Sequence, residues 1–234
     1  MSTHSSTKSR VKRKRGLTIA ELLVSIAIML IITTVVALNS KQFGAGATLK
    51  NIVNDLSLSL RQAQIYGVSV KQFNADPLQT YNINNFNSGY GVHFDLSASP
   101  IGDVASYLFF VDMESSPVSA QHPNGMYGGG NMSCPPFGNT TTLECLDKTT
   151  FSQGYTVSSL CTIDSSSNKV CSNTQLDVTF YRPATEAKII ADQNGVLMNK
   201  ACIEVTSPDG KQNSVVVYTT GQISVRNVSC ATFL

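Results

Sequence analysis

The stretch that decides the fold is residues 17–38, which read LTIAELLVSIAIMLIITTVVAL. Thirteen of these 22 residues are Leu, Ile or Val, and Glu21 is the only charged one. As a helix the stretch would be about 33 Å long, which matches the hydrocarbon core of a bilayer, about 30 Å thick. The aliphatic residues contribute about −4 to −8 kcal/mol to insertion, whereas Glu21 costs about 3 kcal/mol at mid-span and less near an end. The sequence therefore predicts a membrane-spanning helix.

The charges around this span are asymmetric. Residues 1–16 carry six of the 17 basic side chains and no acidic one. By the positive-inside rule, the N-terminus stays in the cytoplasm and the rest of the chain is exported. Without these 16 residues the chain has 11 basic and 15 acidic side chains, a net charge of −4 in place of +2. This acidic balance gives no support for nucleic-acid binding by residues 17–234.

A secretory signal peptide is the first alternative for this N-terminus. Its apolar core is only about 7–15 residues long and ends in a small-residue cleavage site. Residues 17–38 are longer, and Asn-Ser-Lys-Gln-Phe follows them at positions 39–43. The pattern therefore favours a retained helix.

A carboxylate within an apolar span indicates a functional site, because it is costly to place there. The alternative is a first-turn acid that the helix dipole stabilises near the membrane surface. Gly16 separates the basic block from the apolar run, and Glu21 lies four residues beyond Leu17. This arrangement favours the functional interpretation.

The stretch Arg15–Leu23, RGLTIAELL, resembles the class III signal of type IV prepilins and type II secretion pseudopilins. The shared pattern is a basic leader, a glycine, a hydrophobic residue, three further residues, a glutamate and a long apolar helix. Leu17 stands where phenylalanine is common, and Ile19-Ala20 stands where Leu-Ile is common. The strong part of the resemblance covers residues 10–38.

The resemblance implies cleavage between Gly16 and Leu17 by a prepilin peptidase, N-methylation of Leu17 and a role for Glu21 in subunit assembly. It also implies other pilin subunits and an inner-membrane assembly platform as partners. Cleavage would remove six positive charges and leave one ammonium group on Leu17. We expect that ammonium to pair with Glu21 of a neighbouring subunit, because opposite charges offset each other's desolvation cost.

Residues 39–68 continue the helical pattern as an amphipathic half. Gly44-Ala45-Gly46 is its weak point, since each glycine costs about 1 kcal/mol relative to alanine. We expect the apolar stripe to cover the core of the head, with contact between subunits as an addition. The stripe consists of Leu49, Ile52, Val53, Leu56, Leu60 and Ala63.

After about residue 68 the apolar period changes from 3.6 to 2, which is typical of strands. The sequence therefore predicts an α+β fold, in which a long N-terminal helix, transmembrane and then amphipathic, packs on an antiparallel β-sheet head at 69–234. Pro208-Asp209-Gly210 and Gly221 provide turns for a C-terminal meander. The predicted strands are Val68–Phe73, 90–96, Tyr107–Met113, Tyr155–Ile163, Leu176–Tyr181, Ala201–Thr206, Ser214–Thr219 and Gln222–Val228.

The order of helix, Val-Lys strand, Gly-Tyr-Gly-Val strand and terminal hairpin is similar to that of minor pilins and H-type pseudopilins. Residues 114–150 differ from the rest of the head and are rich in Gly, Pro, Ser, Asn and Thr. This composition predicts a long irregular loop, which serves either adhesion or partner contact or is a plain surface insertion.

An even number of cysteines behind an export signal predicts disulfides, with six buried free thiols as the alternative. Six cysteines allow 15 pairings. Proximity along the chain favours Cys134–Cys145, Cys161–Cys171 and Cys202–Cys230.

No motif for catalysis, a cofactor or a metal is present, and the three histidines (His4, His93 and His122) are scattered along the chain. The leading interpretation is thus a filament subunit rather than an enzyme, either a minor pilin or a pseudopilin. The alternative is a non-polymerising single-pass protein with a disulfide-bonded binding ectodomain. We expect the chain to reside in the cytoplasmic membrane and later in an extracellular or periplasmic filament.

Overall fold

The structure is a computed structural model that describes residues 18–69, 88–98, 100–112, 123–134, 144–152 and 154–233. The chain divides into two units, residues 1–43 and 44–234. The elements in chain order are α1 (Ile19–Val68), β1 (Gly89–Asp95), β2 (Ser106–Asp112), β3 (Cys145–Thr150), β4 (Thr156–Ile163), β5 (Lys169–Asn173), β6 (Gln175–Phe180), β7 (Ala187–Ala191), β8 (Lys200–Thr206), β9 (Gln212–Tyr218), β10 (Ile223–Arg226) and α2 (Cys230–Phe233).

Helix α1 is continuous over 50 residues and passes through Gly44 and Gly46 without a break. Its last residue is Val68 and a turn follows at Ser69, so the predicted strand Val68–Phe73 is wrong at its first two positions, and residues 70–73 lie outside the described residues. Gly67 allows the helix to end against β6, because a Cβ atom there would lie 2.4 Å from the carbonyl oxygen of Phe180.

The amphipathic half of α1 packs as the sequence predicts. All six residues of the apolar stripe are buried, with exposed fractions of 8% or less. Burying an aliphatic side chain stabilises a fold by about 1.5–3 kcal/mol, so the stripe is a principal source of packing energy in the head. Tyr66 extends the contact by packing edge-on against Tyr90 and Phe109, with ring centroids 5.5 and 5.9 Å away.

The described part of the head forms two antiparallel sheets rather than the single sheet that the sequence predicts. Their strand orders are β3-β2-β1-β6-β7 and β10-β9-β8-β4-β5. One core cluster contains residues from both sheets and from α1. The α+β class is confirmed. The C-terminal meander β8-β9-β10 is confirmed as well, with Gly210 (φ +80°) in its first turn and Gly221 (φ +83°) in its second.

Strands β3, β5 and β7 were not predicted, and the sequences of β3 and β5 explain why these two were missed. β3 reads CLDKTT and β5 reads KVCSN, and both are mostly exposed or half-buried. β3, β5 and β7 lie at the edges of their sheets, and Ile190 of β7 also forms an isolated antiparallel bridge with Leu197. Edge strands need little apolar alternation, so pairing with a neighbour decides their conformation.

The outer face of the first sheet is covered, which the alternating pattern of 90–96 did not predict. Residues 123–134, which we name the covering coil, pack over β2 and β3 through Tyr127 and Met132. As a result, β1 and β2 are buried on both faces. The loop predicted at 114–150 is corrected accordingly: residues 145–150 form β3, the covering coil is packed, and 113–122 and 135–143 lie outside the described residues.

The outer face of the second sheet carries the end of the chain. Residues 227–233, which we name the C-terminal segment, include α2. Glu204 of β8 accepts hydrogen bonds from the Ser229 hydroxyl (2.6 Å) and from the backbone N–H of Cys230 (2.9 Å). The Ser214 hydroxyl donates to the carbonyl oxygen of Val228 at 2.8 Å. The segment is therefore fixed to the sheet by side chains of two strands.

Candidate processing and assembly site

The predicted cleavage and methylation residues, Gly16 and Leu17, lie outside the described residues, and their roles stay predictions. The described chain begins at Thr18, immediately after them. Thr18 precedes the first residue of α1, and its carbonyl oxygen accepts the helical hydrogen bond from the N–H of Leu22 at 3.1 Å. Thr18 is therefore the N-cap of the helix.

Thr18 and Glu21 form a reciprocal capping box. The backbone N–H of Glu21 donates to the Thr18 hydroxyl oxygen at 3.3 Å. The backbone N–H and the hydroxyl of Thr18 both lie 3.4 Å from Oε2 of Glu21 and can donate to it. Such a box satisfies backbone N–H groups that a helix start otherwise leaves without partners. The signal that predicts it is the spacing T-x-x-E at positions 18–21, which the sequence reasoning did not use.

The capping box leaves Glu21 exposed at the start of an apolar helix. It is the only charged residue between positions 18 and 37. Every large aliphatic residue of this part of α1 is exposed, from 49% at Ile26 to 81% at Ile19. The carboxylate is thus the single charged group on a helix surface that is otherwise mostly apolar, and a cation from another chain could reach it.

The polar side chains farther along the span hydrogen-bond within their own helix. The hydroxyls of Ser25 and Thr34 donate to the carbonyl oxygens of Glu21 and Leu30, both at 2.7 Å. Thr33 donates to the carbonyl oxygen of Met29 at 2.9 Å. Intrahelical bonds of this kind allow hydroxyl groups to face lipid or an apolar neighbour. By length and composition Ile19–Ala37 is able to cross a membrane, with a mean hydropathy of 2.6.

All six cysteines form disulfides in the head. They join Cys134 to Cys145, Cys161 to Cys171, and Cys202 to Cys230, which are the pairs that proximity along the chain favours. The first disulfide ties the end of the covering coil to β3, the second joins β4 to β5, and the third joins β8 to the C-terminal segment.

Under the covering coil lies a buried polar cluster that the sequence reasoning missed. Nδ1 of His93 and Oδ1 of Asp177 are 2.7 Å apart, and the same carboxylate accepts from the backbone N–H of Tyr127 at 3.2 Å. Asp112 accepts from the backbone N–H of Gly125 at 2.5 Å. These acidic residues hold the backbone of the coil on the sheet.

Burial raises the pKa of two groups where the covering coil meets the sheet, Asp112 and Tyr127. It raises the pKa of Asp112 above its ordinary value, although hydrogen bonds from the Tyr181 hydroxyl and the Gly125 N–H act in the opposite direction. Burial and then the nearby Glu144 carboxylate raise the pKa of Tyr127 to about 12. Tyr127 therefore keeps its phenolic proton, and its hydroxyl donates to the carbonyl oxygen of Ser133 at 3.4 Å.

The part of the chain that the structure describes has no side-chain arrangement suited to bind a metal ion. No group of three or more His, Cys, Asp or Glu residues there is placed to hold an ion. His93 and Asp177 are buried beneath the covering coil, and their contacts connect the coil to the sheet.

Comparison with known proteins finds a family motif at the N-terminus. A family model described as the prokaryotic N-terminal methylation motif matches residues 11–37. The match contains Gly16, Leu17 and Glu21 and coincides with the apolar start of α1. The N-terminus therefore carries a type IV pilin-like prepilin signal, and its apolar helix indicates membrane anchoring. No curated protein and no solved structure matches the chain.

Proposed function

We propose that this chain is a structural subunit, either a minor pilin or a pseudopilin, of a type IV pilus or a type II secretion-like filament. The observation that carries the proposal is the exposed Glu21, which caps an apolar helix inside the matched methylation motif. A helix with a mostly apolar surface and one carboxylate at its start is suited to pack among identical helices. The proposed role requires no catalytic group or cofactor in the head.

Processing gives the helix its assembly chemistry. In the proposal, residues 1–16 are a basic leader that a prepilin peptidase removes on the cytoplasmic side, after which Leu17 carries a methylated ammonium group. The ammonium of Leu17 would directly precede Thr18, the residue that forms the capping box with Glu21. In a filament the ammonium of Leu17 pairs with Glu21 of a neighbouring subunit, because both charges leave water during assembly.

The proposed topology follows from the charges that flank the span. Residues 17–38 cross the cytoplasmic membrane with the leader inside, residues 39–68 form the amphipathic half of the helix, and residues 69–234 form the exported head. The three disulfides of the head support this topology, because disulfides persist in oxidising compartments outside the cytoplasm. The assembly platform of the inner membrane and other pilin subunits are the proposed partners.

The distribution of the chain between membrane and filament tests this function. Native cells and cells without prepilin peptidase activity would be sheared, and the chain would be quantified in the sheared material and in the membranes. We expect the chain in the filament material of native cells and only in the membranes of the deficient cells. An identical membrane-only distribution in both would favour the non-polymerising single-pass protein.

A further inference from the structure

Four of the six cysteines lie next to one another on the outer face of the second sheet. Cys161 of β4 and Cys202 of β8 are directly opposite in the antiparallel register. Residues paired in this way point to the same face, with Cβ atoms about 4.5–5.5 Å apart. Cys161, Cys202 and Cys230 belong to one buried cluster, with Val216 beside them.

These four cysteines form two disulfides, which are neighbours because Cys161 and Cys202 lie opposite each other. Cys161–Cys171 joins β4 to the edge strand β5, and Cys202–Cys230 joins β8 to the C-terminal segment. The central pair, Cys161 and Cys202, is the pair that the strand register places face to face. Each of the two thus has a second possible sulfur partner within the same cluster.

The two disulfides differ in their access to solvent. Cys202 and Cys230 are both 0% exposed, whereas Cys171 lies in the exposed part of β5. Thiol–disulfide exchange requires the attacking sulfur to reach the disulfide, so a reductant in solution meets Cys171 first. The Ser159 hydroxyl lies 3.4 Å from Sγ of Cys161 and can donate a hydrogen bond to a thiolate formed there.

We propose that these two disulfides form a redox relay that releases the C-terminal segment from its covalent link. An external dithiol reduces the Cys161–Cys171 bond, becomes a disulfide itself and leaves thiols on both cysteines. The Cys161 thiol loses its proton, and the thiolate attacks Sγ of Cys202. A Cys161–Cys202 bond forms, the Cys202–Cys230 bond breaks, and Cys230 leaves as a thiolate that takes up the proton.

The exchange removes the covalent link of the C-terminal segment to β8 and leaves the segment held by its existing hydrogen bonds. After it, the C-terminal segment is held by Glu204 through Ser229 and the Cys230 N–H, and by Lys169, which donates to the carbonyl oxygen of Ala231 at 2.7 Å. Lys169 belongs to β5, whose own disulfide to β4 is also lost in the exchange. One reducing event therefore weakens the contacts of the C-terminal segment with both β8 and β5.

Limited reduction of the full chain in detergent tests the relay. One equivalent of dithiothreitol, a dithiol, would be added, the reaction would be quenched with acid, and free thiols would be alkylated before the disulfides are mapped by mass spectrometry. We expect alkylation at Cys171 and Cys230 together with a new Cys161–Cys202 link. Alkylation at Cys161 and Cys171 with Cys202–Cys230 intact would overturn the relay. Cys134–Cys145 is the internal control, because it lies on the other sheet.

Two substitutions isolate the second step without any reductant. Cys171→Ser leaves Cys161 unpaired from the start, and we expect a Cys161–Cys202 bond with Cys230 as the alkylated thiol. Cys161→Ser is the matched control, in which Cys171 is alkylated and Cys202–Cys230 persists. A Cys171→Ser protein that keeps Cys202–Cys230 would refute the exchange, and the limited reduction of the native chain decides the question if either variant misfolds.

The loosened attachment has a separate readout in amide hydrogen exchange. In the relayed protein we expect the amide of Cys230 to exchange at least tenfold faster than in the oxidised protein. Unchanged exchange with the rearranged disulfides would show that the hydrogen bonds alone fix the segment, which contradicts the release. These measurements need no filament, so their failure and the failure of the proposed assembly role are distinguishable.

Discussion

Glu21 can act in assembly through its charge or through its capping of α1, and substitutions separate the two. Glu21→Ala removes both the charge and the capping acceptor. Glu21→Gln keeps an acceptor suited to a capping box but has no charge. Thr18→Ala keeps the charge and removes the hydroxyl that accepts from the Glu21 N–H. Asp55→Ala is the matched control, because Asp55 is another exposed acid of the same helix.

The expected magnitudes differ enough to distinguish the two roles. Loss of an N-cap costs about 0.5–2 kcal/mol. Removal of one partner from a buried ion pair costs about 3–5 kcal/mol, because the remaining charge stays buried without compensation. At about 1.4 kcal/mol per factor of ten, the second cost weakens subunit addition on the order of 10²- to 10⁴-fold. Glu21→Gln is therefore expected to resemble Glu21→Ala, with Thr18→Ala affected far less.

Filament yield and processing are measured on the same samples. The chain would be quantified in sheared filaments relative to the membrane pool, and its mass would show whether residues 1–16 have been removed. We expect the Glu21 variants to be processed and to yield almost no filament, while Asp55→Ala matches the native chain. Normal filament yield from Glu21→Gln would refute charge pairing and leave capping as the role of Glu21.

Two further predictions concern the head. Gly67→Ala is expected to destabilise it by about 1–3 kcal/mol, because the added Cβ would lie 2.4 Å from the Phe180 carbonyl oxygen. Gly44→Ala is the control, since nothing lies within 4 Å of its Cβ and the change should stabilise α1 by up to about 1 kcal/mol; equal urea midpoints for both variants would contradict the close approach. Asp112 has a folded-state pKa above its ordinary 3.8, so its stabilising contribution is complete below about pH 3.8 and is lost as pH rises through the raised value. Asp112→Asn removes this loss, and its urea stability should therefore improve relative to the native chain between pH 3 and pH 7; a difference that does not change with pH would contradict the raised pKa.

Two patterns in the sequence determined much of the fold. The apolar stripe from Leu49 to Ala63 has helical spacing because it covers one core, and that core is present in the structure. The C-terminal meander was equally clear, since glycines with positive φ mark both of its turns. Both features depend on neighbours in the chain, which a sequence displays directly.

The features that the sequence did not predict depend on distant contacts. β3 is polar and exists because it pairs with β2 at the edge of a sheet. The division into two sheets depends on where each strand finds its partner, which local periodicity does not encode. The covering coil is held by Asp112 and Asp177, whose carboxylates lie in separate strands and meet it only in the folded chain.

The candidate site was predictable in part, because its motif is local. The pattern around Gly16, Leu17 and Glu21 is contained in residues 11–37, the range that the methylation motif matches. The capping role of Glu21 could also have been predicted from Thr18 three residues before it. The adjacency of Cys161 and Cys202 could not, because these residues are 41 positions apart and meet only through strand register.

The intact mass of the chain tests its identity as a processed pilin-type subunit most directly. The protein would be isolated from native membranes and from sheared filaments, and its mass would be measured with the disulfides intact. A chain that begins at Leu17, carries one added methyl group and retains three disulfides is the predicted result. A chain that keeps residues 1–16 in both fractions would contradict processing and, with it, the assembly role that depends on a free amino group at Leu17.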